Sequence, residues 1–148
     1  MRKAFVIVST LLLASFVLQF VFAAVGAFTK PAGDSAYTLH SVNGIVVIPA
    51  LTLLTTLFAA LAKAPGRLIG LAILPLGLVV VQALIAVLAN AFTDAAGAST
   101  PLGLTIAWLH AVNGIVAVHV VVSVQRAAVK LASVHRAARK LVSTPETA

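Results

Sequence analysis

The stretch LHSVNGIVVIPA, residues 39–50, returns seventy positions later as LHAVNGIVAVHV, residues 109–120. Leu, His, Val, Asn, Gly, Ile and Val recur in order, and inside that block only Ser41 changes, to Ala111. Each copy lies within a long run that contains no Asp, Glu, Lys or Arg. There are four such runs: residues 4–29, 35–62, 68–93 and 95–125. Each is longer than the roughly 20 residues an α-helix needs to cross a hydrocarbon layer about 30 Å thick. Ala, Leu and Val dominate them without a period-2 alternation, which selects helices over a membrane barrel. With 61% hydrophobic and 9% charged residues, a soluble domain of 148 residues could not hide so much apolar surface. The expected fold class is all-α, a polytopic membrane four-helix bundle.

The echo extends upstream of the histidines. AFTKPAG at residues 27–33 corresponds to AFTDAAG at 91–97, and Gln19 precedes the first as Gln82 precedes the second. The second copy then carries about six extra residues before its histidine. Helices 1 and 2 therefore correspond to helices 3 and 4, with repeat units of about residues 4–63 and 67–126. A unit of two spans re-enters the membrane in the same sense, so the repeat is parallel, about a pseudo-two-fold axis along the membrane normal. That places helix 2 opposite helix 4. Residues 1–126 form the transmembrane domain, and 127–148 a cytoplasmic amphipathic C-terminal helix that extends helix 4 on or away from the surface. The closing residues, TPETA, are expected to fray.

The net charge of +7 has a direction. Arg2 and Lys3 precede the first span, Lys63 and Arg67 lie between the second and third, and Arg126, Lys130, Arg136, Arg139 and Lys140 follow the fourth. Only Lys30 lies on the other side. By the positive-inside rule both termini of this multi-pass chain are expected to be cytoplasmic. The basic residues thus orient the chain and meet lipid headgroups, and nucleic acid is not an expected partner. The N-terminus has features of a signal peptide, but its apolar run exceeds the usual length and the repeat requires it as helix 1. KAPGR at 63–67 reads as a compact turn. Ser99 or Thr100 is placed to cap a helix with Pro101 in its first turn. Pro49 and Pro75, inside spans, are expected to kink them.

Residues i, i+3 and i+4 share a helix face. His40, Asn43 and Gly44 therefore line one stripe of helix 2, and His110, Asn113 and Gly114 line one stripe of helix 4. One imidazole from each side is what bis-histidine haem ligation requires. Glycine beside each ligand leaves room for a flat macrocycle, and the asparagines are placed to orient an imidazole, bond a propionate or bond each other. The chain has no cysteine, which excludes disulfides, thiolate metal sites and covalently attached haem. Haem b is thus the cofactor this pattern suits, with His40 and His110 as the iron ligands, for electron transfer or haem handling beside a redox partner or larger membrane complex. Two other readings of the same residues stand. In one, HxxNG packs helices through small residues and hydrogen bonds, as in a structural or accessory subunit. In the other, the polar stripe carries a small molecule. No catalytic constellation is present, and two histidines fall short of a zinc site. His119 sits about 180° from His110 around the helix and is expected to bond Gln82 or Gln19; His135 belongs to the solvated tail. Tyr37 and Trp108 read as interface anchors.

On LHSVNG and LHAVNG, over most of residues 4–124, the chain resembles a family of small uncharacterised bacterial integral membrane proteins with four helices. The resemblance implies the fold and lends no activity. More distantly, the layout is similar to one four-helix half of haem A synthase, which implies haem held by histidines on helices 2 and 4. That carry-over reaches His40 and His110 alone, because the catalytic acids and loop cysteines of many such enzymes have no counterpart here.

Overall fold

The computed structural model describes residues 1–31, 33 and 35–143, with the backbone alone for 139–143. The chain forms four long helices and, among the described residues, no strand beyond an isolated Thr93–Ser99 bridge. We label them α1 (Arg2–Phe28), α2 (Thr38–Leu61), α3 (Gly66–Ala91) and α4 (Pro101–Ser143). All four are long and apolar enough to cross a membrane, and within the spanning stretches no more than 28% of residues are buried. Most of the apolar surface therefore faces outwards, with Ile45, Leu84, Val87 and Ile115 each more than 60% exposed. Such a surface is stable in lipid and not in water. Sequence neighbours pack together, and α1 also packs on α4, so α2 and α4 stand diagonally across the bundle.

The core is built in layers. Towards the basic end, Phe5, Ala59, Ala62, Ala72, Val124 and Ala128 pack together, and above them lie Leu12, Phe16, Ile48, Ala117 and Val121. Small residues allow helices to approach closely where lipid offers no hydrophobic drive to associate. Ser9, Thr52 and Thr55 are buried yet satisfied, because each hydroxyl donates to a carbonyl of its own helix. Buried hydroxyls in this position cost little, since the alternative is an unmade bond in an apolar medium.

Local chemistry explains each irregularity. Within α2, residues Asn43–Val47 form a π-helical turn, in which the amide of Ile48 bonds the carbonyl of Asn43. Pro49 follows at once, with no N–H for the carbonyl four residues back and a ring that crowds it, and the widened turn accommodates both defects. The second copy has His119 in place of Pro49, and α4 is regular there. The other span proline, Pro75, is fully buried inside an uninterrupted α3. Thr100 caps α4 as expected: its hydroxyl accepts from the amide of Gly103 at 3.1 Å and donates to the carbonyl of Phe92, with Pro101 opening the helix.

The α2–α3 turn ends α2 in a Schellman motif. The amide of Ala64 bonds the carbonyl of Ala59, and that of Lys63 bonds the carbonyl of Ala60. Lys63 sits in the left-handed region (φ 56°), where glycine is usual and a side chain costs about 1 kcal/mol. Residues 127–143 are not a separate helix. They continue α4 without a break, so that part of the tail leaves the bundle along the α4 axis. TPETA, with its expected fraying, lies outside the described residues.

Candidate functional site

His40 is the third residue of α2 and His110 the tenth of α4, and both are half-buried. Their ring centroids are 6.2 Å apart with the planes inclined by 39°. Counting back from the basic end would offset them: His40 lies 23 residues before Lys63, and His110 16 before Arg126. The continuation of α4 past Arg126 removes that offset and brings the two rings together. Around them lies a cavity of about 330 Å³ lined by all four helices. Eight of its lining residues are Gly, Ala or Ser, among them Gly44, Ala83, Ala86, Ala111 and Gly114, and no charged residue lines it among the described residues.

Three polar contacts to the histidine motif recur on both sides. Gln19 donates from Nε2 to the carbonyl of His40 at 2.9 Å, and Gln82 donates to that of His110 at 2.7 Å. Asn43 donates from Nδ2 to Gln19 Oε1 at 2.7 Å and to the carbonyl of Ser15 at 3.0 Å. Asn113 donates to Gln82 Oε1 and to the carbonyl of Leu78, the latter at 3.0 Å. Ser15 and Gln19 are four residues apart on one face of α1, as Leu78 and Gln82 are on α3. Each glutamine thus clamps the motif on the next helix through one carbonyl and one asparagine. A helix carbonyl has a second lone pair, so this capture breaks no backbone bond.

The two sides differ in three respects. Ser15 Oγ also donates to Asn43 Oδ1 at 2.8 Å, whereas Leu78 has no hydroxyl to offer Asn113. His40 Nδ1 lies 3.1 Å from the carbonyl of Gln19, and because a carbonyl only accepts, Nδ1 carries the proton and Nε2 keeps its lone pair. His110 Nδ1 is buried without a hydrogen-bond partner among the described residues. Finally, a Cβ on Gly44 would come within 2.8 Å of Gln19 Nε2, while one on Gly114 would meet nothing closer than 3.8 Å. Gly44→Ala is therefore expected to push the glutamine amide off its acceptor and to leave the protein about 1 kcal/mol less stable than Gly114→Ala, where the added methyl meets no close contact. Unfolding of the two variants in detergent checks this, and equal losses would contradict it.

The site residues thus divide. His40, His110, Gly44, Gly114 and Asn113 line the cavity, whereas Asn43 is buried beside it at 6% exposure. Both donors of each asparagine amide are spent within its own helix pair, so Asn43 and Asn113 do not bond each other and have no donor for a carboxylate. His119 is exposed on the outside of α4 and bonds neither glutamine, whose side chains the motifs already occupy. Trp108 is exposed and stands outside the cavity, and Tyr37 meets the His40 ring edge-on with centroids 6.3 Å apart. The clamping role of Gln19 and Gln82 is what sequence reasoning missed. The two amides, already matched by the repeat, were the signal, but at 21 and 28 residues from the histidines nothing in the spacing shows which groups they bond. No cluster of three or more potential metal-binding His, Cys, Asp or Glu side chains exists among the described residues.

Residues 19–91 match a family of unknown function (DUF6220), a span that takes in the first motif and both glutamines. No curated protein matches the chain. No solved structure matches it either, and the expected likeness to haem A synthase finds no support there.

Proposed function

We propose that this chain is a bacterial inner-membrane protein that holds haem b through His40 and His110, for electron transfer or haem handling. The observation that carries this reading is the facing pair of imidazoles, 6.2 Å apart by centroid, beside an apolar cavity lined by small residues. His40 and His110, one from each of two helices, would be the residues that hold the iron, each through an imidazole nitrogen. The donor set also fits. His40 is held in the tautomer with a free Nε2 by the Gln19 carbonyl, the outer partner that orients a metal-binding imidazole. The unpartnered Nδ1 of His110 leaves a buried polar atom for an occupant to satisfy. A haem bound there supplies one-electron redox chemistry, while the chain positions two imidazoles and excludes water through its apolar lining.

The two halves are, in this proposal, copies related by a pseudo-two-fold axis that passes between the histidines. The matched glutamine and asparagine bonds support it. Both termini face the cytoplasm, supported by nine of ten basic residues at one end of the chain's alternating spans. A second reading is favoured by the same hydrogen bonds: the motif ties α1 to α2 and α3 to α4, as a packing device would. The two readings differ only in what the histidines do.

Absorption of purified protein separates them. From haem-replete cells, a Soret band and split visible bands on reduction are expected, with about one haem per chain in a pyridine haemochrome assay. Protein that is colourless, and stays so after haem is added, leaves packing as the function of the motif.

A further inference from the structure

The geometry points to a binding site for the phosphate headgroup of an acidic phospholipid at the other end of the bundle. A cavity of about 440 Å³ lies there where three distant parts of the chain converge: the start of α1, the turn after α2 and the far length of α4. Arg2, Lys3, Lys63, His135 and Arg136 line it, and among the described residues no carboxylate does. The Nε–H of Arg2 is buried and donates to nothing among the described residues. Lys63 stands in the left-handed cap of α2, where a glycine would sit without strain, so a cation occupies the cavity rim against the preference of the backbone. Asp94 is at the opposite end of the bundle, and Asp34 and Glu146 lie outside the described residues.

Four basic side chains, Arg2, Lys3, Lys63 and Arg136, around one cavity repel each other unless an anion joins them. Arginine forks and lysine ammoniums are the groups that hold phosphate. The lining also explains why the phosphate belongs to a lipid. Leu61, Ala62 and Ala132 complete the wall and continue into the apolar flank of the bundle, where acyl chains would follow the headgroup. A free phosphate would use the same cations and leave that wall unmatched. The volume falls within the roughly 300–1,000 Å³ common for small-molecule sites.

The test is the melting of purified full-length protein in neutral detergent, with phosphatidylglycerol, phosphatidylcholine or inorganic phosphate added. Phosphatidylglycerol is expected to raise the melting temperature by roughly 5 °C, and the other two to leave it unchanged. The triple variant R2Q/K63Q/R136Q should lose that shift. R67Q/R126Q, which removes charge at the same end but outside the cavity, should keep it. An equal shift from phosphatidylcholine, a shift that survives in the triple variant, or one lost equally in R67Q/R126Q overturns the proposal. A shift from inorganic phosphate alone assigns the cavity to a free anion and overturns the lipid. Should the triple variant fail to fold, Lys63→Gln alone, read by native mass spectrometry, is expected to weaken retention of phosphatidylglycerol about tenfold; unchanged retention overturns the site.

Discussion

His40→Ala and His110→Ala are each expected to abolish the low-spin haem spectrum, while His119→Ala leaves it intact. The first two remove an imidazole from the facing pair, and one remaining ligand cannot keep a six-coordinate iron low-spin. His119 is on the outside of α4 and contributes nothing to the cavity. Absorption spectra of the oxidised and reduced proteins read the outcome, alongside helix content by circular dichroism. Loss in all three variants with loss of helix content means misfolding, and retention of the spectrum in either of the first two defeats bis-histidine ligation. The histidine side chains carry little of the packing: among the described residues His110 makes no side-chain hydrogen bond and His40 makes one, to a carbonyl already engaged in its helix. Helix content should therefore survive both substitutions.

Asn43→Ala is expected to destabilise the protein by about 2 kcal/mol and Asn113→Ala by about 1, at roughly 0.6 kcal/mol per interhelical hydrogen bond in a membrane. Asn43 is the more buried of the two and makes three bonds, to Ser15 Oγ, the Ser15 carbonyl and Gln19. Asn113 makes two, to the Leu78 carbonyl and Gln82. Unfolding by denaturant in micelles measures both. The pairing also predicts where energies couple. Asn43 with Gln19, and Asn113 with Gln82, should be strongly non-additive in double-mutant cycles, whereas Asn43 with Asn113 should be additive. Coupling between the two asparagines would mean that they meet across the bundle, contrary to the geometry described above.

Much of this arrangement is legible in the chain because a membrane restricts what a sequence can do. Four uncharged runs of more than 20 residues leave no soluble alternative, and the helix ends follow from local rules. Thr100 and Pro101 open α4 as capping chemistry requires, and the turn at Lys63 falls where charge and proline interrupt the apolar pattern. The placement of His40 against His110 was also readable, because an ungapped echo aligns the two motifs at one level. The partners of the motif were not. An asparagine on a helix face is equally able to reach across a bundle or sideways to its neighbour, and pattern alone does not choose. Gln19 and Gln82 decide it, because each reaches the next helix with both ends of its amide already committed. His119 was misjudged for the same reason: the glutamines it was expected to meet were occupied.

By itself, then, the sequence determined that the chain forms four helices long and apolar enough to span a membrane and that two histidines stand on the second and fourth. These are properties of composition and spacing, which the cost of unsatisfied backbone in lipid converts directly into structure. Only the tertiary structure decided which polar groups spend their donors on packing and which stay free. That choice depends on distances of a few tenths of an ångström between helices far apart in sequence. It leaves both asparagines bound within their own helix pairs and the two imidazoles facing each other beside the cavity, which makes the repeated histidine, rather than the repeated asparagine, the candidate for chemistry.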